Sequence, residues 1–102
     1  MSTFQFHGLC PATHTPFHAD GSLNLAVVER QAAHLLARKI DRVFIGGTTG
    51  ESVSLQLTER LALGDRWAAV AKSSGIQVVV HVGANCLADA AALATQAQRN
   101  QA

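Results

Sequence analysis

No tyrosine occurs in the sequence, and lysine occurs only twice, at Lys39 and Lys72. A phenol proton relay is therefore missing from these residues, and an amine nucleophile has two candidates. Cysteine is also scarce: Cys10 and Cys86 stand far apart without CxxC spacing, which suggests neither a zinc site nor a disulfide framework and leaves buried small side chains as their expected role. The charges nearly cancel, with a formal net charge of +1 and Arg and Lys scattered along the chain. Without a basic stripe, no nucleic acid or anionic membrane is expected as a partner. No apolar run is long enough to span a bilayer, and Met1 to His7 lack a charged segment followed by an apolar one, so a cytoplasmic protein is the default expectation. Five histidines and seven acidic residues are present, but no His-carboxylate spacing suggests a metal site.

What is present is ordinary globular material, 102 residues of which 48% are apolar. Short apolar runs alternate with longer segments of helical period, the pattern of a parallel sheet built from βα units. The first strand is expected near Leu9 to Thr13. Its loop holds Pro16, Asp20 and Gly21, and Asn24 is a suitable N-cap for a helix that places Leu25, Val28, Ala32, Leu35 and Leu36 on one face. A second strand is expected over Arg42 to Ile45, ending at Gly46-Gly47. The loop after it runs to Thr58, the expected cap of a helix with Leu63, Trp67, Val70 and Ala71 inward, closed by Gly75 in left-handed conformation. Gln77 to Val82 read as a third strand covered on both faces. A third helix is expected from Asn85 or Cys86 to the end, rich in alanine but with a weak apolar stripe.

The three strand starts recur about every 34 residues, and eight such units would give roughly 270 residues, the usual size of a TIM-type (β/α)8 barrel. The fold class is therefore α/β, with the first three βα units of a TIM barrel, incomplete, occupying residues 1–102 as the N-terminal portion of one domain. A doubly wound fold stays open as an alternative, although no dinucleotide fingerprint is present. Because Arg99 to Ala102 follow the third helix where a fourth strand is due, the sequence reads as cut. A three-stranded parallel sheet alone would leave two edges and one face uncovered.

In a β/α barrel the active site lies at the carboxyl ends of the strands. The richest loop there is Gly46-Gly47-Thr48-Thr49-Gly50-Glu51-Ser52, with three glycines and two adjacent hydroxyls. Glycine allows close backbone approach, and free N–H groups with Thr hydroxyls can hold a small anion. No Gly-Lys-Ser/Thr follows at phosphate-loop spacing, so a small carboxylate is the expected ligand. Glu51, directly after the turn, is read as shaping the loop by bonding backbone amides rather than as an acid or base. His14 and His81 lie near strand ends and are read as satisfying local hydrogen bonds, while His7, His18 and His34 suggest no partner.

Gly47-Thr48-Thr49-Gly50-Glu51 resembles the signature loop of the N-acetylneuraminate lyase and dihydrodipicolinate synthase family of pyruvate-dependent class I aldolases. Pro11-Ala12-Thr13-His14-Thr15-Pro16-Phe17 with Asp20-Gly21 is similar to that family's first-strand segment, as is Ser54-Leu55 with Thr58-Glu59-Arg60 to its second helix opening. Within the family, His81-Val82-Gly83-Ala84 and Glu59-Arg60 followed by Trp67 look more like the N-acetylneuraminate lyase branch. The resemblance implies retro-aldol cleavage of N-acetylneuraminate to N-acetylmannosamine and pyruvate through a lysine Schiff base, without metal or other cofactor, the iminium serving as electron sink and a tyrosine relaying the proton. It further implies that Thr48 adds its hydroxyl to that relay, that Thr48 and Thr49 hold the pyruvate carboxylate, and that Gly47, Gly50 and Glu51 shape the loop. The implied ligands are pyruvate, sialic acid or a related keto acid, and the implied full-length assembly is a homotetramer. A dihydrodipicolinate synthase-type condensation of pyruvate is the alternative chemistry.

The departure from this pattern is the nucleophile. Lys39 and Lys72 both fall at helix carboxyl ends, which lead into strand starts on the face away from Thr48 and Thr49. In the family the lysine lies on the sixth strand and the tyrosine on the fifth, both beyond Ala102. The expectation is that catalysis belongs to a longer polypeptide and that the 102 residues alone are inactive, the competing reading being a non-catalytic short product that acts through self-association. A smaller departure is Lys39-Ile40, where family members often carry glycine. A left-handed residue there costs on the order of 1 kcal/mol without it.

Overall fold

A computed structural model describes residues 8–102, and His7 with the rest of the N-terminal stretch lies outside the described residues. Three helices and two strands follow in the order α1 (Val27–Ala37), β1 (Arg42–Ile45), α2 (Leu57–Ser74), β2 (Gln77–Val80) and α3 (Leu87–Arg99). β1 and β2 pair in parallel, from Arg42 opposite Gln77 to Ile45 opposite Val80, so α2 is the crossover of a βαβ unit. On the other side of β1, Ala12 forms one parallel bridge to Phe44. The Thr13 N–H donates to the Phe44 carbonyl at 3.1 Å and the Phe44 N–H to the Pro11 carbonyl at 2.9 Å. Three parallel segments thus lie side by side in chain order with β1 in the middle.

The first segment is shorter than the strand expected over Leu9 to Thr13. Pro11 has no N–H to extend a ladder, and Leu9 is 72% exposed, so no burial holds the start of the run in place. The third strand also stops early, at Val80 instead of Val82, because its partner β1 ends at Ile45 and Gly46 turns away with φ 68°. Alternation along the strands sends Val43, Ile45, Val78 and Val80 toward the helices. There they meet Val28 and Ala32 of α1 and Leu63, Trp67 and Val70 of α2 in one core. Phe44 and Val79 lie on the opposite face and are half-buried, so the double cover expected for the third strand is not complete within the described residues.

Helix starts differ from expectation by one or two residues. Asn24 does not cap α1: Leu25 and Ala26 first form a turn, and Asn24 instead bonds the Pro16 carbonyl through its N–H at 2.9 Å. Thr58 is already inside α2, whose first turn is closed by the Glu59 carboxylate accepting the Gln56 N–H at 2.8 Å. Gly75 ends α2 at φ 82°, its N–H on the Ala71 carbonyl, as the sequence indicated. Lys39 does adopt the left-handed conformation, at φ 61°. Cys86 caps α3 and is exposed, and Cys10 is half-buried. The expectation that both cysteines are buried therefore fails, since one sits at a helix start and the other on a sheet edge. Among the described residues no helix is long and apolar enough to cross a membrane.

Candidate active site at the carboxyl ends of the strands

The parallel arrangement brings three chain turns to one end of the sheet: Thr13 to Thr15, Gly46 to Ser52, and His81 to Gly83. The central turn is tied by its own backbone, with the Glu51 N–H on the Thr48 carbonyl at 3.0 Å and the Ser52 N–H on the Gly47 carbonyl at 3.1 Å. It is also tied to the first segment. Thr15, 5% exposed, donates its hydroxyl to the Gly50 carbonyl at 2.6 Å.

This packing itself requires glycine at two positions. A Cβ on Gly47 would lie 2.5 Å from Cε1 of Phe44, and one on Gly50 would lie 3.0 Å from the Gly46 nitrogen and 3.2 Å from the Thr13 oxygen. Gly46 needs its left-handed conformation to leave β1. Glu51 also adopts φ 62°, a conformation few non-glycine residues take, and so shapes the turn through its backbone. Its carboxylate is exposed and, among the described residues, makes none of the amide contacts expected of it.

Thr48 and Thr49 are exposed at the tip of the turn, with Gly46 and Gly47 buried before them and Gly50 after them. Within the described residues neither threonine's hydroxyl nor its amide N–H is engaged by another group. Two hydroxyls and two amides are thus open on a rigid turn, a donor set suited to a small carboxylate. Lys39 follows α1 and Lys72 lies in the last turn of α2, both exposed. Each sits next to the start of a strand, and β1 alone rises about 13 Å between its start and the Thr48 end.

The third turn contains residues that sequence reasoning treated only as markers. Arg60, 9% exposed, reaches from α2 to the carbonyls of Gly83 at 2.7 Å and His81 at 2.8 Å. Burial pushes its guanidinium below the usual range, with Asp89 pulling it back up. His81 bonds the end of β1 and the turn beyond it: its N–H donates to the Ile45 carbonyl at 3.0 Å, and Nδ1 lies 3.1 Å from the Gly46 carbonyl. A hydrophobic-period reading of α2 passes over Arg60, because a charged residue carries no apolar signal. His14 is exposed, and its carbonyl accepts the Gln31 side chain at 2.9 Å. Among the described residues no cluster of three metal-ligating side chains occurs.

Comparison with known proteins accounts for this assembly of turns. The dihydrodipicolinate synthetase family model matches residues 5–101, and the chain belongs to that family. Over 91 residues it is 38% identical to N-acetylneuraminate lyase A of Xenopus laevis, covering 88% of this chain and 30% of that one. Among solved structures, N-acetylneuraminate lyase of Proteus mirabilis superposes with a TM-score of 0.86 at 36% identity, over 93% of this chain and 32% of that one. A dihydrodipicolinate synthase of Bacillus anthracis superposes with a TM-score of 0.85 at 26% identity, over 96% and 33%. The chain spans about a third of the length of these relatives.

Proposed function

We propose that residues 1–102 form the first three βα units of a single (β/α)8 barrel domain, and that the Gly46 to Ser52 turn is the keto-acid cradle of a Schiff-base aldolase. The observation that carries this reading is the pair of unengaged threonines at the carboxyl end of β1, in a chain 38% identical to an N-acetylneuraminate lyase. In the reaction, a lysine amine condenses with the keto carbon of N-acetylneuraminate and releases water. The iminium accepts the electron pair of the breaking carbon–carbon bond as the neighbouring hydroxyl loses its proton, N-acetylmannosamine departs, the resulting enamine takes up a proton at carbon, and hydrolysis of the re-formed iminium frees pyruvate and the amine. Thr49 and Thr48 hold the carboxylate, and Thr48 adds its hydroxyl to the proton relay. The lysine and the tyrosine must come from a polypeptide longer than these residues, since Lys39 and Lys72 lie at the wrong end of the strands. Pyruvate binding by the turn alone is not a function: two charge-assisted bonds contribute about 1.5 to 3 kcal/mol each against an association cost of at least about 4 kcal/mol, which leaves millimolar affinity or weaker.

The test uses the whole polypeptide encoded by the reading frame that contains these residues. Borohydride treatment in the presence of pyruvate is expected to trap a covalent lysine adduct visible by mass spectrometry, and N-acetylneuraminate is expected to yield pyruvate. Trapping without sialic acid cleavage but with condensation onto aspartate semialdehyde moves the assignment to the synthase chemistry. Absence of any trapped adduct removes the aldolase reading altogether.

A further inference from the structure

We propose that Arg60 and His81 form a positioning clamp that fixes the second and third βα turns against one another and so sets the attitude of Thr48 and Thr49. The inference rests on the aldolase reading for its consequence, but its geometry stands independently.

Two bonds from the guanidinium, to the carbonyls of His81 and Gly83, lock the backbone at the end of the third strand onto α2. Arg60 presents a rigid planar fork, which holds two carbonyls at a fixed separation, whereas an ammonium on a flexible stem imposes no such geometry. Its charge is satisfied there by carbonyl dipoles, and no carboxylate lies within ion-pair distance among the described residues. The clamp then acts through the histidine ring. Nδ1 of His81 lies 3.1 Å from the Gly46 carbonyl and 3.4 Å from Nη2 of Arg60.

Nδ1 cannot both donate to the first and accept from the second. The Gly46 carbonyl is the closer of the two, and a lone pair on Nδ1 would repel its oxygen, whereas the contact with Nη2 is long at 3.4 Å. The ring is therefore the Nδ1–H tautomer, donating to Gly46. Gly83 makes room for it: a Cβ there would lie 2.7 Å from Nε2. Gly46 is the left-handed residue on which the turn pivots, so a bond that fixes its carbonyl fixes the direction in which Thr48 and Thr49 leave β1. The two sequence features that favour the lyase branch, Arg60 on α2 and His81 with Gly83 after the third strand, thus meet in one contact.

The test again uses the whole polypeptide, with ¹⁵N-labelled histidine. Wild-type His81 is expected to show the ring-nitrogen shifts of the Nδ1–H form, the minor tautomer of free histidine. His81→Phe and Arg60→Met are expected to lower kcat/KM for N-acetylneuraminate by about a hundredfold, the loss that a misplacement near 1 Å can cause. His81→Asn is expected to restore most of that loss, since the Asn amide can donate from nearly the position of Nδ1. An Nε2–H ring in the wild type overturns the clamp whatever the enzyme does, and needs no variant to fold. Wild-type rates in His81→Phe overturn it as well, and leave the lyase reading standing. If the wild type cleaves no sialic acid yet its ring is Nδ1–H and becomes mixed in Arg60→Met, the clamp stands and the lyase reading falls.

Discussion

Thr48 and Thr49 are adjacent, equally open and chemically alike, yet the proposed mechanism separates them. Each bond to a carboxylate contributes about 1.5 to 3 kcal/mol, so Thr49→Val is expected to raise KM roughly ten- to a hundredfold with kcat nearly kept. Thr48→Val is expected to lower kcat as well, through loss of the relay hydroxyl; steady-state kinetics showing the same pattern for both would remove the relay role. The glycines around them differ in another way. On Gly50 a new Cβ meets only backbone, at 3.0 to 3.2 Å, whereas on Gly47 it meets the half-buried ring of Phe44. A ring can turn and a packed backbone cannot, so Gly50→Ala is expected to cost about 1 to 3 kcal/mol in urea denaturation of the whole polypeptide, more than Gly47→Ala. At Lys39 the direction reverses: with φ 61° already adopted, Lys39→Gly is expected to stabilise by about 1 kcal/mol, and an unchanged denaturation midpoint would show the strain to be relieved elsewhere. The turn itself was legible from sequence because glycines and hydroxyls at a strand end carry a strong local signal. Its mode of support was not, since the bonds from Thr15 and His81 each span 35 positions in the chain.

Between elements, the helices meet through polar contacts that hydrophobic periodicity does not report. β1, the Gly75 cap and the start of α3 at Cys86 were all readable, because each is set by residues within a few positions. The N-cap of α2, Gln56, lies two residues before the expected cap, although the Gln56 to Glu59 spacing marks it; Thr58 is the stronger cap by residue type. Gln96 of α3 was not foreseen at all. It is 3% exposed and donates to the Leu61 carbonyl at 2.6 Å and to Asp65 Oδ1 at 2.9 Å, with Gly64 leaving space for its amide. Asn100 donates to the same Asp65 oxygen at 3.0 Å. This amide joins α3 to α2 where the apolar stripe of α3 is weak and Leu93 is its one fully buried apolar residue. Gln96→Leu is expected to cost about 1 to 3 kcal/mol through loss of its two bonds to α2. Gln96→Glu is expected to cost more, since it sets a second carboxylate beside Asp65. Equal midpoints for both variants and wild type in urea denaturation would show that α3 is held by Leu93 alone.

For the molecule as a whole, size is not the obstacle to independent folding. The radius of gyration is 13.0 Å, near the value of about 13 Å usual for a domain of this length. The difficulty lies in what the sheet leaves open. β1 is paired on both sides, but among the described residues the far edge of β2 and the far side of the Ala12 segment have no neighbour, and no element covers the face on which Phe44 and Val79 lie half-buried. Parallel strands tolerate such exposure poorly, because their faces are apolar and their edges offer unpaired N–H and C=O groups to any other chain. The 102-residue polypeptide on its own is therefore expected to associate, or to keep its helices while binding hydrophobic dye and losing fixed side-chain packing. Sedimentation, near-ultraviolet circular dichroism and a thermal scan distinguish these outcomes from autonomy. A monomer that melts in one cooperative step would show that α1, α2 and the core around Trp67 suffice without further strands, and the barrel assignment would then have to explain how an open sheet stays soluble.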